Sequence, residues 1–276
     1  MYIILNNNLF SYIILILMDL EEEEIINAPE VSKFNFKCDD IIDENIPLPL
    51  PGNNEGWFRM GVIGRSGCGK TNLLRNLCER GGKNKIYCKR FTNVFYISPS
   101  IKSMSNKPKL DESNFYSSLN ELPIILKRIQ TEEGKDGRTL IIIDDCSHEL
   151  KRDGNEDIKK LFQNNRHLGR PLMNEETGEQ IESGSVSIII IAQRLNNLPR
   201  AVRSQLTHWC IFDPRHTKSE LSTIFEELIC CNKPVFNEIL SRTFKTPYNF
   251  MFIDSLKSKV YNGFKKQFLI KENNYL

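Results

Sequence analysis

No Cys-x-x-Cys pair and no His-x-x-x-His spacing occurs in this 276-residue chain. Its 8 cysteines, at positions 38, 68, 78, 88, 146, 210, 230 and 231, are too few for a disulfide scaffold of this length. A zinc centre is therefore not expected, and the cysteines read as reduced thiols in a reducing compartment. Long apolar runs are also missing. The longest near the N-terminus, Tyr12 to Met18, falls far short of the roughly 20 residues that cross a bilayer. No lysine or arginine precedes it, and no small-residue cleavage site follows, so a secretory signal is not expected either. Stable membrane insertion is not expected, and Met18 is read as the start of the functional chain.

A strong net charge is absent too, with 37 basic against 35 acidic side chains, but the balance is a cancellation. Up to Gly56 eleven acids face only Lys33 and Lys37, a net −9, and the remainder carries +11. The acidic part continues into Pro47, Pro49 and Pro51, whose missing N–H groups suit an extended linker. The division expected is therefore a leader at 1–56 outside the core, a domain at 57–254 and a basic tail at 255–276. In the tail Lys257, Lys259, Lys265, Lys266 and Lys271 interleave with Tyr261, Phe264 and Phe268. That pattern fits an amphipathic helix packing its aromatics on the domain at least as well as a DNA contact.

Between 57 and 254, short apolar runs alternate with helical patterns. Strands are expected at Phe58–Ile63, Val94–Ile97, Leu140–Ile143, Val186–Ala192, Trp209–Phe212 and Phe250–Ile253. Several are apolar at consecutive positions, as in a parallel sheet covered on both faces. Helices are expected at Thr71–Arg80, Asn114–Glu133 with a break at Pro123, Asn155–Leu168, and Ser219–Cys231. The last should open with a capping box formed by Thr217 and Glu220. Leu172–Gly184 reads as a protruding polar loop. The fold class is α/β, three layers around a mostly parallel sheet.

Gly64, Arg65, Ser66, Gly67, Cys68, Gly69, Lys70 and Thr71 match GxxxxGK[ST] at each fixed position, between a strand and a helix. Glycines let backbone N–H groups close on phosphates, Lys70 reaches the β and γ phosphates, and the Thr71 hydroxyl faces Mg²⁺. The following helix aims its positive end at the same anion. Beside that end, the Cys68 thiol is expected to be acidified. Leu140–Ile143 then runs into Asp144 and Asp145. Asp144 is assigned to Mg²⁺, and Asp145 to a general base that orients and deprotonates the attacking water. Gln193 ends the strand Val186–Ala192, where it could hydrogen-bond the γ phosphate or that water. One strand candidate lies between the two motifs, so the P-loop strand and the carboxylate strand are expected to be separated in the sheet by another, as in motor ATPases.

GRSGCGKTNLL, LIIIDDC, and NNRHLG followed by SIIIIAQRLNNLPRAVRSQL resemble the FtsK–HerA superfamily of DNA-pumping ATPases. Within it they are most similar to the poxvirus-type genome-packaging ATPases. The resemblance runs from about Phe58 to Asp254. It implies a RecA-like core with the additional strand, ATP with Mg²⁺, and non-specific binding of double-stranded DNA. It also implies a homo-oligomeric ring, often a hexamer, and a capsid or portal-vertex partner. The expected location is the host cytoplasm or a viral factory, with virion association. Lys70 and Thr71 fall on Walker A, Asp144 and Asp145 on Walker B, and Gln193 on the sensor. Arg166, in Arg166-His167-Leu168-Gly169, falls on the arginine that acts on a neighbouring subunit's nucleotide, with Arg200 and Arg203 as rivals. Asp145 stands where many members carry glutamate, so its carboxylate reaches one methylene less far. Two other readings stay open: a nucleotide or small-molecule kinase, and a nucleotide-regulated scaffold with little turnover.

Overall fold

The structure, a computed structural model, describes residues 20–24, 49–51, 57–78, 86–87, 90–104, 107–131, 137–151, 156–182 and 184–270. Its centre is built from strands β1 (Leu20–Glu24), β2 (Arg59–Ile63), β3 (Asn93–Ile97), β4 (Phe115–Tyr116) and β5 (Thr139–Asp144). Beyond these lie β6 (Leu172–Met173), β7 (Gln180–Glu182), β8 (Val186–Ala192) and β9 (His208–Phe212), then β10 (Phe250–Asp254), β11 (Lys259–Asn262) and β12 (Lys266–Ile270). Among the described residues ten of them form one sheet in the order β1-β12-β11-β10-β9-β2-β8-β5-β3-β4. From β9 to β4 neighbouring strands are parallel, and from β9 outward to β1 they alternate in direction.

The isoleucine-rich strands show why this sheet is covered twice. In β8, Ile188 and Ile190 enter one apolar cluster while Ile189 and Ile191 enter the other. In β5, Ile141 and Ile143 face the first cluster, and Leu140 and Ile142 the second. Successive side chains point to opposite faces, so a strand buried on both must be apolar throughout. The first face is covered by helices α2 (Leu122–Gln130), α4 (Glu156–Asn164), α6 (Lys218–Glu227) and α7 (Lys233–Thr243). The second is covered by α1 (Lys70–Cys78) through Leu73, Leu74 and Leu77, together with Tyr87, Phe91 and Ile101. Two four-residue helices complete the chain, α3 (Ser147–Leu150) after β5 and α5 (Arg200–Arg203) before β9.

The P-loop strand and the carboxylate strand are separated by another strand, as expected, since β8 pairs with both β2 and β5. Several other expectations are corrected. The helix expected from Asn114 starts only at Leu122, with Pro123 in its first turn, where proline's missing N–H costs nothing. The residues before it form β4 and two 3₁₀ turns. Thr217 makes no side-chain cap at the start of α6. The loop at 172–184 is a short hairpin, β6 with β7, whose turn Asn174 ties down by accepting from the N–H groups of Glu176 and Thr177.

The ends of the chain also differ from expectation. Residues after Asp254 form no helix. They continue the sheet as β11 and β12, with Tyr261, Phe264 and Phe268 buried. Phe264 meets Phe250 and Phe252 edge-on, with centroids 4.8 and 5.3 Å apart. Part of the acidic leader joins the sheet as well. Leu20–Glu24 pairs antiparallel with β12, and Leu50 is buried where the Tyr87 hydroxyl donates to the Pro51 carbonyl at 2.8 Å. The apolar run Tyr12 to Met18 lies outside the described residues, as do Lys271 and Glu272. Among the described residues no helix is long and apolar enough to cross a membrane.

If β12 belongs to the core, Phe268→Ala should cost about 3–5 kcal/mol. At roughly 2–4 °C per kcal/mol for a domain of this size, thermal unfolding should move down by about 6–20 °C. A shift within 1 °C, as for a surface substitution, would show that the hairpin is peripheral.

Candidate functional site

The parallel strands β2, β8 and β5 end side by side, and the register Ile63↔Ala192 and Asp144↔Ile191 places their following residues in one row. The Gly64 N–H donates to the Ala192 carbonyl and the Asp145 N–H to the Ile191 carbonyl, each at 3.1 Å. Gly64, Asp145 and Gln193 are thereby brought together at the carboxyl ends of the strands, where open α/β sheets bind ligands.

The loop after β2 turns tightly onto α1. Gly69 has φ +109°, a conformation that side-chain-bearing residues rarely adopt. A Cβ on Gly64 would lie 2.6 Å from the Cys68 sulfur and 2.7 Å from Phe212 Cβ, so the loop can lie against β9 only with glycine there. Helix α1 begins at Lys70 and has no acidic residue in its first turn, leaving its positive end uncompensated. Lys70 Nζ donates to the carbonyls of Gly64 and Arg65, the latter at 2.9 Å. Arg65, Ser66 and Thr71 are exposed along this rim. The expectation for Cys68 is corrected. Burial pushes its thiol above the usual range, and this outweighs the opposing pull of Lys70, the neighbouring backbone N–H groups and Arg65. The sulfur is packed beneath the loop instead of exposed at the helix end.

The two carboxylates differ in surroundings. Asp144 is half-buried, and the Tyr96 hydroxyl donates to its Oδ2 at 2.6 Å. Burial raises its carboxyl pKa most, Tyr96 opposes this, Asp145 adds to it and Lys70 opposes it. Asp145 is exposed and has φ +55°, which turns its side chain out of the strand's alternation. Gln193 Nε2 then donates to Asp145 Oδ2 at 3.1 Å, joining the ends of β5 and β8. Behind Gln193 the loop is held by Glu220, which is buried and accepts from the Leu195 N–H at 2.8 Å. This is the task Glu220 performs in place of the expected capping box. A cleft of ≈ 410 Å³ is lined by Lys70, Thr71, Asp144, Asp145 and Gln193, together with Ser100 and Met104.

Tyr96 was not among the expected site residues. The available signal was a tyrosine one residue before the end of a buried strand, because a buried hydroxyl needs a polar partner. Thr71 and Asp144 share the cleft and supply a hydroxyl and a desolvated carboxylate, a donor set that fits a hard divalent cation completed by phosphate oxygens. Among the described residues no group of three or more His, Cys, Asp or Glu stands ready to hold a metal unaided.

Arg166 lies elsewhere. It sits in the 3₁₀ turn Asn165–His167, anchored by Asn165 Nδ2 donating to the Val186 carbonyl at 2.8 Å, at the start of β8. That is the opposite end of the sheet from the cleft. Its exposed guanidinium lies 5.5 Å from the Trp57 ring centroid, and Arg59 lies 5.0 Å from the same ring. Gly169 of the same segment has a separate role. A Cβ there would lie 1.9 Å from the Gly184 carbonyl oxygen, so glycine lets the base of the β6–β7 hairpin close. Of the rivals, Arg203 is engaged within its own chain, with Glu227 at 2.7 and 2.8 Å and the Leu198 carbonyl at 2.8 Å. Arg200 is exposed.

A family model described as "Poxvirus A32 protein" matches residues 53–239. Among solved structures, the genome packaging NTPase B204 of Sulfolobus turreted icosahedral virus 2 is similar in fold. Its complex with ATP-gammaS superposes at a TM-score of 0.51 with 16% identity, covering 75% of this chain and 96% of B204. Its complex with sulfate gives 0.52 with 14% identity, covering 80% and 98%. No curated protein matches the chain in sequence.

Because burial raises the Asp144 pKa, folding favours the protonated acid. The associated stability is present at low pH and is lost as pH rises through the folded-state pKa. Asp144→Asn should therefore raise the unfolding temperature at neutral pH, with the gain shrinking as the pH falls below that pKa. The same variant should lose metal-dependent turnover. Calorimetry over a pH series checks this, and an unfolding temperature below wild type at neutral pH would contradict it.

Proposed function

The chain belongs to the Poxvirus A32 protein family, and from that premise we propose that it is an ATP-hydrolysing motor that moves double-stranded DNA into a viral capsid. The observation that carries the reading is the Asp145–Gln193 pair, at 3.1 Å, facing Lys70 and Thr71 across one cleft. This supports the reading of Asp145 as a base and Gln193 as a polarising amide beside a phosphate-binding loop. The kinase reading has no observation in its favour.

In this reading the backbone N–H groups of Gly67 to Lys70 and the positive end of α1 hold the phosphates. Lys70 leaves the loop carbonyls for the β and γ phosphate oxygens. Asp145 accepts a proton from the attacking water, and Gln193 fixes both Asp145 and that water in line with the γ phosphorus. Thr71 and Asp144 would hold Mg²⁺, which supplies neutralisation of charge on the phosphates when bound. Tyr96 keeps Asp144 oriented and opposes the rise in its pKa that burial causes. The shorter reach of aspartate at 145 is met by its left-handed backbone, which swings the carboxylate toward Gln193.

Arg166 acts in trans. Its position at the far end of the sheet from its own cleft supports this, since a head-to-tail ring brings one subunit's far end to the next subunit's nucleotide. Arg203 is held by Glu227 and is the poorer candidate. The net +11 beyond Gly56 suits non-specific, salt-sensitive attraction of DNA. A ring of about six subunits, a capsid or portal-vertex partner, and a site of action in the host cytoplasm or viral factory complete the proposal.

Duplex DNA should stimulate phosphate release several-fold at low salt, with the stimulation fading as salt rises. Lys70→Ala should abolish release. Absence of stimulation from the wild-type protein would remove the motor reading while leaving an ATPase. Arg166→Ala should bind ATP normally and not hydrolyse it. Mixed with Lys70→Ala subunits, it should regain part of the wild-type rate, because one partner keeps the finger and the other the loop. A mixture no better than its components would place Arg166 outside the trans role.

A further inference from the structure

The phosphate cleft leaves a second, larger cavity beside it unexplained. A groove of ≈ 860 Å³ shares Gly69 and Asn72 with that cleft and so opens from it at the start of α1. Leu73, Phe212, Phe250 and Phe264 give it apolar walls. Tyr248 stands at its mouth, 74% exposed, with φ +63°. A bulky residue in that backbone region carries strain of the kind that persists at ligand clamps. The ring lies beside the phosphate loop, since a Cβ placed on Gly69 would be 4.0 Å from Tyr248 Cδ1. On its other side Tyr248 borders a groove of ≈ 500 Å³ that also holds Arg65, Lys245 and the ion pair of Asp213 with Arg215. The first groove carries Lys265 and Lys266 as well, but Leu73, Phe250 and Phe264 give it apolar walls that the second lacks, and these suit a neutral aromatic heterocycle.

The next residue supplies a directional group. Asn249 Nδ2 donates to the Thr243 carbonyl and to Asn262 Oδ1, both at 2.7 Å. A backbone carbonyl can only accept, so the nitrogen must face it, and the orientation of the amide follows. Asn249 Oδ1 is then left directed toward Gly263, 3.3 Å from where a Cβ on that glycine would sit, on the groove's lining. An acceptor fixed in this way pairs with an amino group and opposes a carbonyl oxygen at the same place.

We propose that this groove is the base site of the nucleotide. Tyr248 stacks on the base, and Asn249 Oδ1 selects adenine over guanine by accepting from the exocyclic amine. The inference rests on the ATPase reading and adds its substrate selectivity. Stacking on an exposed ring is sequence-tolerant and contributes affinity, whereas the amide contributes choice.

Steady-state hydrolysis by the full chain with Mg²⁺ tests it, using ATP, GTP, purine riboside triphosphate (which lacks the amine) and tripolyphosphate. Wild type should show a KM for ATP about tenfold below those for GTP and purine riboside triphosphate, consistent with one lost directional contact. Tyr248→Ala should raise the KM for ATP about tenfold or more while kcat stays within about twofold, and should narrow the gap between ATP and tripolyphosphate. Tyr248→Phe, which keeps the ring, should restore the wild-type KM. Because Tyr248 is exposed, the alanine variant should fold, and its unfolding temperature verifies this. Equal KM values for ATP and GTP in the wild type would overturn the selection by Asn249. An unchanged KM in Tyr248→Ala would overturn the stacking. If the wild type binds none of these compounds, the ATPase reading itself falls; if it binds them without base preference, only this inference does.

Discussion

Everything at the site depends on the pairing of β8 between β2 and β5. Parallel strands carry evenly spaced hydrogen bonds, so one register sets the relation of all their ends. With Ile63 opposite Ala192 and Asp144 opposite Ile191, the phosphate loop, the two carboxylates and the glutamine emerge in one row at the ends of three neighbouring strands. A slip of one residue would turn every isoleucine of β8 from one apolar cluster to the other and carry Gln193 away from Asp145. The register is strongly specified because both faces of β8 are fully buried. Core packing, not the polar residues, holds the polar residues in place.

Within that frame the two aspartates are set apart by one backbone step. Asp144 ends the strand and keeps its alternation, so it points into the partly buried wall beside Tyr96, where desolvation makes its charge costly. Asp145 leaves the strand in the left-handed region and reaches solvent and Gln193. Neighbouring carboxyl groups thus acquire different chemistry from burial and hydrogen bonding alone. A desolvated carboxylate suits a cation, and an exposed one held by an amide suits a water. The cost of keeping Asp144 charged in the fold is a stability that the core must supply elsewhere, as at many functional sites.

The molecule is also polar in the geometric sense. The cleft lies at the carboxyl ends of the parallel strands, while Trp57, Arg59 and Arg166 cluster at the amino end of β8. The guanidinium of Arg59 donates to the Phe162 carbonyl and to Gln205, which fastens this end of the sheet to α4 and to the segment after α5. Its burial, and after that its proximity to Arg166, makes its charge less favourable and lowers its pKa. The cleft and the exposed Arg166 therefore lie at opposite ends of the same sheet.

Much of this was legible in the sequence. The phosphate loop, the carboxylate pair and the glutamine are marked by residue types that few other chemistries require, each following a strand whose unbroken apolar run signals burial on both faces. These are local signals, carried by neighbours along the chain. The pairing of Asp145 with Gln193 across 48 residues, the tyrosine behind Asp144, and the placing of Glu220 on the Leu195 N–H are not local, and no spacing announces them. The same limit explains the ends of the chain. Alternating lysine and aromatic residues after Asp254 satisfy a helix or a strand equally well, and only the open edge of β10, with Phe250 and Phe252 waiting for a partner, decides for a hairpin. The acidic run at 20–24 looks like a solvated leader, yet it adds to β12 because an unpaired strand edge accepts any backbone that reaches it. By itself the sequence determined which atoms can handle a phosphate. The tertiary structure decided which of them meet, because strand order and register are properties of the packed sheet and not of any stretch of the chain.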